Sequence, residues 1–166
     1  NPHANCSCSP MQIQRYLSKV SGPLLDRIDL HVEVPPVKHA DLAERKPGEP
    51  SRKVRDRVIL ARTIQRTRLE TLPNRFCNAD MESQEIQRFC QLSTEGTSLL
   101  RRAMESLGLS ARAYDRILKV SRTIADLAGS DGIQLEHLSE AIQYRSLDRS
   151  MNAFMGHSLH ESHRKS

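Results

Sequence analysis

At 166 residues, with hydrophobic side chains at 37%, three Phe, three Tyr and no Trp, the chain has room for one or two small domains. Their cores must be built from Leu, Ile, Val and Ala, which favours packed helices over a β-sandwich. A formal charge of +5 and a pI near 9.3 admit anionic partners, nucleic acid and nucleotide phosphate among them. No apolar run is long enough for a membrane span or a signal-peptide core.

The chain opens as a loop, NPHANCSCSP, and continues as MQIQRYLSKV, where Ser9-Pro10 marks a helix start. Gly22-Pro23-Leu24-Leu25 then reads as a turn followed by an apolar pair. Between Ile28 and Val34 the pattern alternates: Ile28, Leu30, Val32 and Val34 share one side, and Asp29, His31 and Glu33 the other. A period of two predicts a strand with one buried face, ended by Pro35-Pro36. One strand is not stable alone, so residues 1–36 read as a remnant of a larger sheet. Residues 37–51, rich in Pro and charge and ending KPGEPS, read as a linker.

From Ser51 the signal is helical. Val54, Val58, Ala61 and Ile64 form one apolar stripe behind Ser51 as N-cap. Ile86, Phe89 and Cys90 mark a short second helix starting near Asp80. Leu99, Leu100, Ala103, Met104 and Leu107 mark a third, which Gly108 ends. Ser110 caps a fourth, carrying Ala113, Ile117, Val120, Ile124 and Leu127 before Gly129. Leu135, Leu138, Ala141 and Ile142 make a fifth, after the Asp131-Gly132 turn. The polar tail from 147 to 166 reads as disordered; His157, His160 and His163 recur there every third residue without a sustained period.

Several chemistries are absent. There is no G-x-x-x-x-G-K-[ST] loop, no G-x-G-x-x-G, no H-E-x-x-H and no apolar strand ending in Asp-Glu, so the chain does not cradle and hydrolyse a nucleotide unaided. Two arginines stand out. Arg27 precedes the alternating segment and is either an aimed guanidinium or the partner of Asp26 and Asp29. Arg112 falls in the first turn of a helix, where exposed backbone N–H groups and a guanidinium together suit phosphate; the competing reading is a surface pair with Asp115. A basic run, Arg52, Lys53, Arg55, Arg57, Arg62, Arg66 and Arg68, is either a nucleic-acid-facing helix or a solvated surface. Cys6 and Cys8, with His3 nearby, supply half of a four-ligand zinc site. Cys90 fits the apolar face of its helix, and four Cys in two separated groups without a signal sequence suit a reducing cytoplasm.

The stretches CSCSPMQIQRYLSKVSGPLLDRIDLHVEVP, LSARAYDRILKVSRTIADLAG and HLSEAIQYR together resemble the magnesium-chelatase-like AAA+ ATPases of the bacterial ComM/YifB type, over residues 6 to about 147. The resemblance implies the C-terminal part of such a protein. The fold expected from it is mainly α: an AAA+ C-terminal helical lid bundle over 52–146, preceded at 1–36 by a C-x-C loop, a helix and one arginine-finger strand left from the α/β ATPase core. By the same resemblance Arg27, in LLDRID, is the arginine finger that reaches a neighbour's ATP. Arg112, in LSARAYDR, is the sensor-2 arginine of the lid, which in this clade also serves a neighbouring site.

The resemblance further implies ATP and Mg as ligands of the full-length protein, self-association into a hexameric ring, no membrane partner, and a motor acting on DNA through branch migration. In the family a C-P-C-G element precedes the second C-x-C, giving a four-Cys zinc pattern of which this chain carries one pair. Without Walker A and Walker B, the chain is expected to be inactive alone. Two alternatives stand beside the motor: a helical nucleic-acid-binding module that uses Arg52–Arg68, and a chelatase-type adaptor that drives a partner enzyme.

Overall fold

A computed structural model of the chain describes residues 7–34, 37 and 48–145. Seven α-helices and one 3₁₀ turn are described. These are α1 (Pro10–Leu17), α2 (Gly22–Leu25), α3 (Ser51–Leu69), the 3₁₀ turn (Asn78–Asp80), α4 (Ser83–Phe89), α5 (Thr94–Leu107), α6 (Ala111–Leu127) and α7 (Leu135–Gln143). The mainly helical expectation is met. No β-strand occurs among the described residues.

The helix ends follow local chemistry. Ser9 caps α1 in a reciprocal box: its hydroxyl accepts from Gln12 N–H, and the Gln12 side chain accepts from Ser9 N–H at 2.8 Å. Ser93 Oγ accepts from Gly96 N–H at 3.1 Å, and Ser110 Oγ accepts from Ala113 N–H at 3.3 Å. Gly108 ends α5 at φ 63°, a left-handed conformation that glycine adopts without a Cβ clash.

Helix α6 is central, packing against α7, α3, α4 and the 3₁₀ turn, while α5 packs on α7. The core joins Leu69 of α3, Met81, Ile86 and Cys90 around α4, Leu100 of α5, Ile117, Leu118 and Ala125 of α6, and Leu138 and Ala141 of α7. Burial of that apolar surface is the main stabilising term, at roughly 25 cal/mol per Å². Cys90 sits among these residues, and burial pushes its thiol up to about 11.

Two expectations are corrected. The apolar stripe of α3 is not buried along its length: residues 51–60 are exposed on every side, and only Ala61, Gln65 and Leu69 are buried. The reason is reach. The bundle covers only the C-terminal half of α3, so Val54, Val58, Ile59 and Leu60 lie beyond it. The alternating segment 28–34 is not in a sheet, because the described residues offer it no neighbouring strand. Its burial is not that of a one-faced strand either: His31 is buried, with its backbone N–H donating to Tyr144 O at 2.8 Å, while Val32 and Val34 are 63% and 83% exposed and Asp29 and Glu33 are exposed too.

Candidate functional site

A cleft of about 500 Å³ runs along α6. Arg112, Asp115, Arg116, Lys119, Val120 and Thr123 form one wall; Asp29, Leu30, Ala79 and Tyr144 close the other. Residues 112, 116 and 119 are four and three apart, so a helix of 3.6 residues per turn places these three cations on one face. Two of them hold the walls together. Arg116 Nη1 pairs with Asp29 Oδ1, and Lys119 Nζ donates to Ala79 O at 2.9 Å.

Arg112 is different. It is exposed at the N-terminal end of the helix and makes no hydrogen bond or ion pair among the described residues. Asp115 lines the same cleft without pairing with it. A cation placed against the positive end of a helix dipole, with no acid beside it, costs a few tenths of a kcal/mol unless an anion arrives. Its guanidinium and the adjacent first-turn N–H groups together make an anion-accepting end.

Arg27 lies just after α2, on the turn that leads into Asp29. It is exposed, and its Nη1 donates to Pro23 O at 3.4 Å. The two acids expected to neutralise it are occupied elsewhere: Asp26 lies 3.7 Å from Arg145 Nη2, and Asp29 pairs with Arg116. Among the described residues, then, Asp26 and Asp29 face other arginines, and the local ion pair with Arg27 is not formed.

On α3, Arg52, Lys53, Arg55, Arg62 and Arg66 are exposed. Spacings of three, seven and four put Arg52, Arg55, Arg62 and Arg66 on one face of the helix, with Lys53 about 145° round from the centre of that face. Arg57 pairs with Glu49 at 2.9 Å. Arg68 does not belong to that surface: it turns inward and forms a two-pronged pair with Asp126.

That pair is the heart of a network which sequence reasoning missed. Asp126 is buried and accepts from Arg68, from Asn78 Nδ2 at 2.8 Å and from Arg122 Nε at 3.1 Å. Arg122 also donates to Asp131 O at 2.9 Å and Ser130 O at 2.6 Å, closing the loop after α6. A usable signal was present. Arg122 and Asp126 are four apart on the side of α6 that also carries Ala125 and Leu118, where unpaired charges would not be tolerated. Arg145, buried just after α7, gave no such signal.

Metal ligation has less support. Among the described residues, no three of His, Cys, Asp and Glu are placed to hold an ion. Cys8 is exposed. Cys6, His3 and the histidines at 157, 160 and 163 lie outside the described residues, as do the tail and most of the linker.

Residues 48–145 match the family described as magnesium chelatase, subunit ChlI C-terminal, and residues 1–42 match magnesium chelatase, subunit ChlI. The chain belongs to this magnesium-chelatase-type family. Competence protein ComM of Haemophilus influenzae is 47% identical over 142 residues, 85% of this chain and 27% of that protein. The uncharacterized protein YifB of Escherichia coli is 46% identical over 143 residues, 86% of this chain and 27% of its own length. A more distant relative, the uncharacterized protein Rv2897c of Mycobacterium tuberculosis, is 35% identical over 142 residues, 85% of this chain and 28% of its own. The chain thus spans about a quarter of the length of the relatives it matches. No described helix is long and apolar enough to cross a membrane.

Proposed function

We infer that this chain supplies two arginines, a finger and a lid residue, to the nucleotide sites of a ring-forming AAA+ ATPase. The observation that carries the reading is shared by Arg27 and Arg112. Both are exposed in family motifs, and neither is neutralised by an acid among the described residues. A cation left unpaired in a protein that has carboxylates to hand is available for a ligand anion. Arg27 would reach the γ-phosphate of ATP in an adjoining subunit, and Arg112 would bind phosphate at the α6 terminus.

Chemically, the residues present fit a polyphosphate and not its metal. Mg supplies charge neutralisation between the β- and γ-phosphates, and the residues that would hold it are not in this stretch. What this chain contributes is guanidinium charge, fixed in place before reaction, against the charge that develops on the transferring phosphoryl group. In this reading 1–36 belong to the ATPase core, 37–51 link, 52–146 form the lid and 147–166 are a tail. The full-length protein is a cytoplasmic hexameric motor that remodels DNA. The similarity to a competence protein supports that substrate.

The test is Arg27→Ala in the full-length protein, with ATP turnover measured at saturating nucleotide. Loss of an arginine finger is expected to lower turnover by about 10³-fold or more. Turnover at the wild-type level would remove the finger role.

A second reading rests on α3. Its face of Arg52, Arg55, Arg62 and Arg66, exposed beyond the bundle, suits a phosphate backbone. Titration with single- and double-stranded DNA across a salt series tests it. Binding that weakens with salt supports the reading, and the absence of binding at low salt leaves a solvated surface.

A further inference from the structure

We propose that Arg145 is a positioning residue for Arg27: a clamp, built at the end of α7, that fixes the turn presenting the finger. The proposal rests on the finger reading above and extends it to Arg145, which closes the HLSEAIQYR stretch and has no role assigned there.

Arg145 is the largest fully buried side chain of the described residues, at 1% exposure. A buried guanidinium is costly unless its donors are satisfied, and nothing about packing calls for one at a helix terminus where Leu or Met would fill the space. Its partners explain its presence. Nη1 donates to Leu25 O at 3.4 Å and to Ile28 O, and Nη2 lies 3.7 Å from the Asp26 carboxylate. These groups belong to residues 25, 26 and 28, which bracket Arg27 on both sides.

Within the turn the hydrogen bonds are local: the Leu24 and Leu25 N–H groups both donate to Ser21 O, at 3.0 and 3.1 Å. Arg27 N–H donates to Leu24 O and Ile28 N–H to Leu25 O, both at 3.0 Å, a single turn that is marginal alone. Among the described residues, its docking on the lid includes three contacts: Arg145, the adjacent Tyr144 carbonyl that accepts from His31 N–H at 2.8 Å, and Arg116 on Asp29. Two of the three come from consecutive residues after α7. Because α7 packs on α6, which carries Arg112, the clamp also holds Arg27 and Arg112 at a set separation. Nη1 alone serves both carbonyls while Nη2 faces Asp26, so one planar group spans residues 25, 26 and 28, a reach that the single ammonium of a lysine does not reproduce.

The experiment is a double-mutant cycle in the full-length protein: wild type, Arg145→Lys, Arg27→Ala and the double variant. The readouts are kcat and KM for ATP, together with hydrogen exchange over residues 25–31. A clamp acting through Arg27 predicts that Arg145→Lys lowers kcat by about 10²-fold, as expected for a small misplacement of a reacting group, with KM within about twofold. It predicts no further loss when Arg145→Lys is added to Arg27→Ala. Amides 27, 28 and 31 should exchange at least about tenfold faster in Arg145→Lys. If Arg145→Lys does not fold, Asp26→Asn removes another arm of the clamp and serves in the same cycle.

Wild-type kcat in the folded clamp variant overturns the proposal. So does an equal loss of kcat in both backgrounds, since Arg145 would then act on the whole fold and not on the finger. Wild-type turnover in Arg27→Ala overturns the finger reading itself, and with it the clamp; that result involves no change at Arg145 and is distinguishable from the other two.

Discussion

At the C-terminal end of α6, Arg122 is 2% exposed, and its nitrogens donate to Asp126 and to the carbonyls of Ser130 and Asp131. At the N-terminal end, ten residues earlier, Arg112 stands at the mouth of a cleft with no partner among the described residues. One helix therefore uses the same side chain in two opposed ways. Where the guanidinium is enclosed, every neighbour is arranged to neutralise it, and it holds the fold together. Where it is exposed, an available carboxylate, Asp115, is left unpaired with it, and the charge remains to meet something from outside. Sequence position does not separate these roles; surroundings do.

The comparison can be broken most forcefully at the enclosed end. Asp126→Ala leaves the buried guanidinium groups of Arg122 and Arg68 without their carboxylate, and removing one partner of such a pair costs about 3–5 kcal/mol. Denaturant unfolding should show that loss as a large drop in midpoint. A change below about 1 kcal/mol would mean that the network is not the support its geometry describes.

At the exposed end the same measurement should find almost nothing. Arg112→Gln is expected to alter stability by no more than about 0.5 kcal/mol, as is usual for an exposed substitution. In the full-length protein it should nevertheless weaken ATP binding or turnover. A destabilisation comparable to that of Asp126→Ala would erase the distinction between the two ends.

A smaller effect comes from the 3₁₀ turn beside the cleft. Asp80 accepts from the backbone N–H of Phe76 at 2.9 Å, and from the N–H and thiol of Cys77, which hold its carboxyl below the ordinary value of 3.8. A lowered folded-state value means stabilisation that is complete above the unfolded value and lost as pH falls through the folded one. Asp80→Asn should reduce stability modestly at neutral pH and flatten the acid limb below about pH 4, seen as converging melting temperatures of the two proteins. Curves that stay parallel down to the acid limit would remove this role.

What was legible in the sequence was what is decided locally. The caps at Ser9 and Ser110 and the stop at Gly108 depend on a few neighbouring residues, and the last two helices begin and end close to where periodicity put them, whereas Ser51, read as a cap, is the first residue of α3 behind Pro50. The failures depended on distant partners. How the alternating segment docks is settled by Tyr144 and Arg145, more than a hundred residues away. Likewise α3 has an apolar stripe along its length, but the bundle reaches only its final turns. Of the candidate site, Arg27 and Arg112 could be named from motifs, while the pairs Arg116–Asp29 and Arg145–Asp26, which occupy the acids beside Arg27, could not, because they join residues far apart in the chain.

The apolar exposure of residues 28–34 carries a practical consequence. Ile28, Leu30, Val32 and Val34, at 40%, 48%, 63% and 83% exposure, are alternate apolar residues of a segment that no strand among the described residues pairs with. Handled in isolation at high concentration, the chain is expected to self-associate first through these side chains.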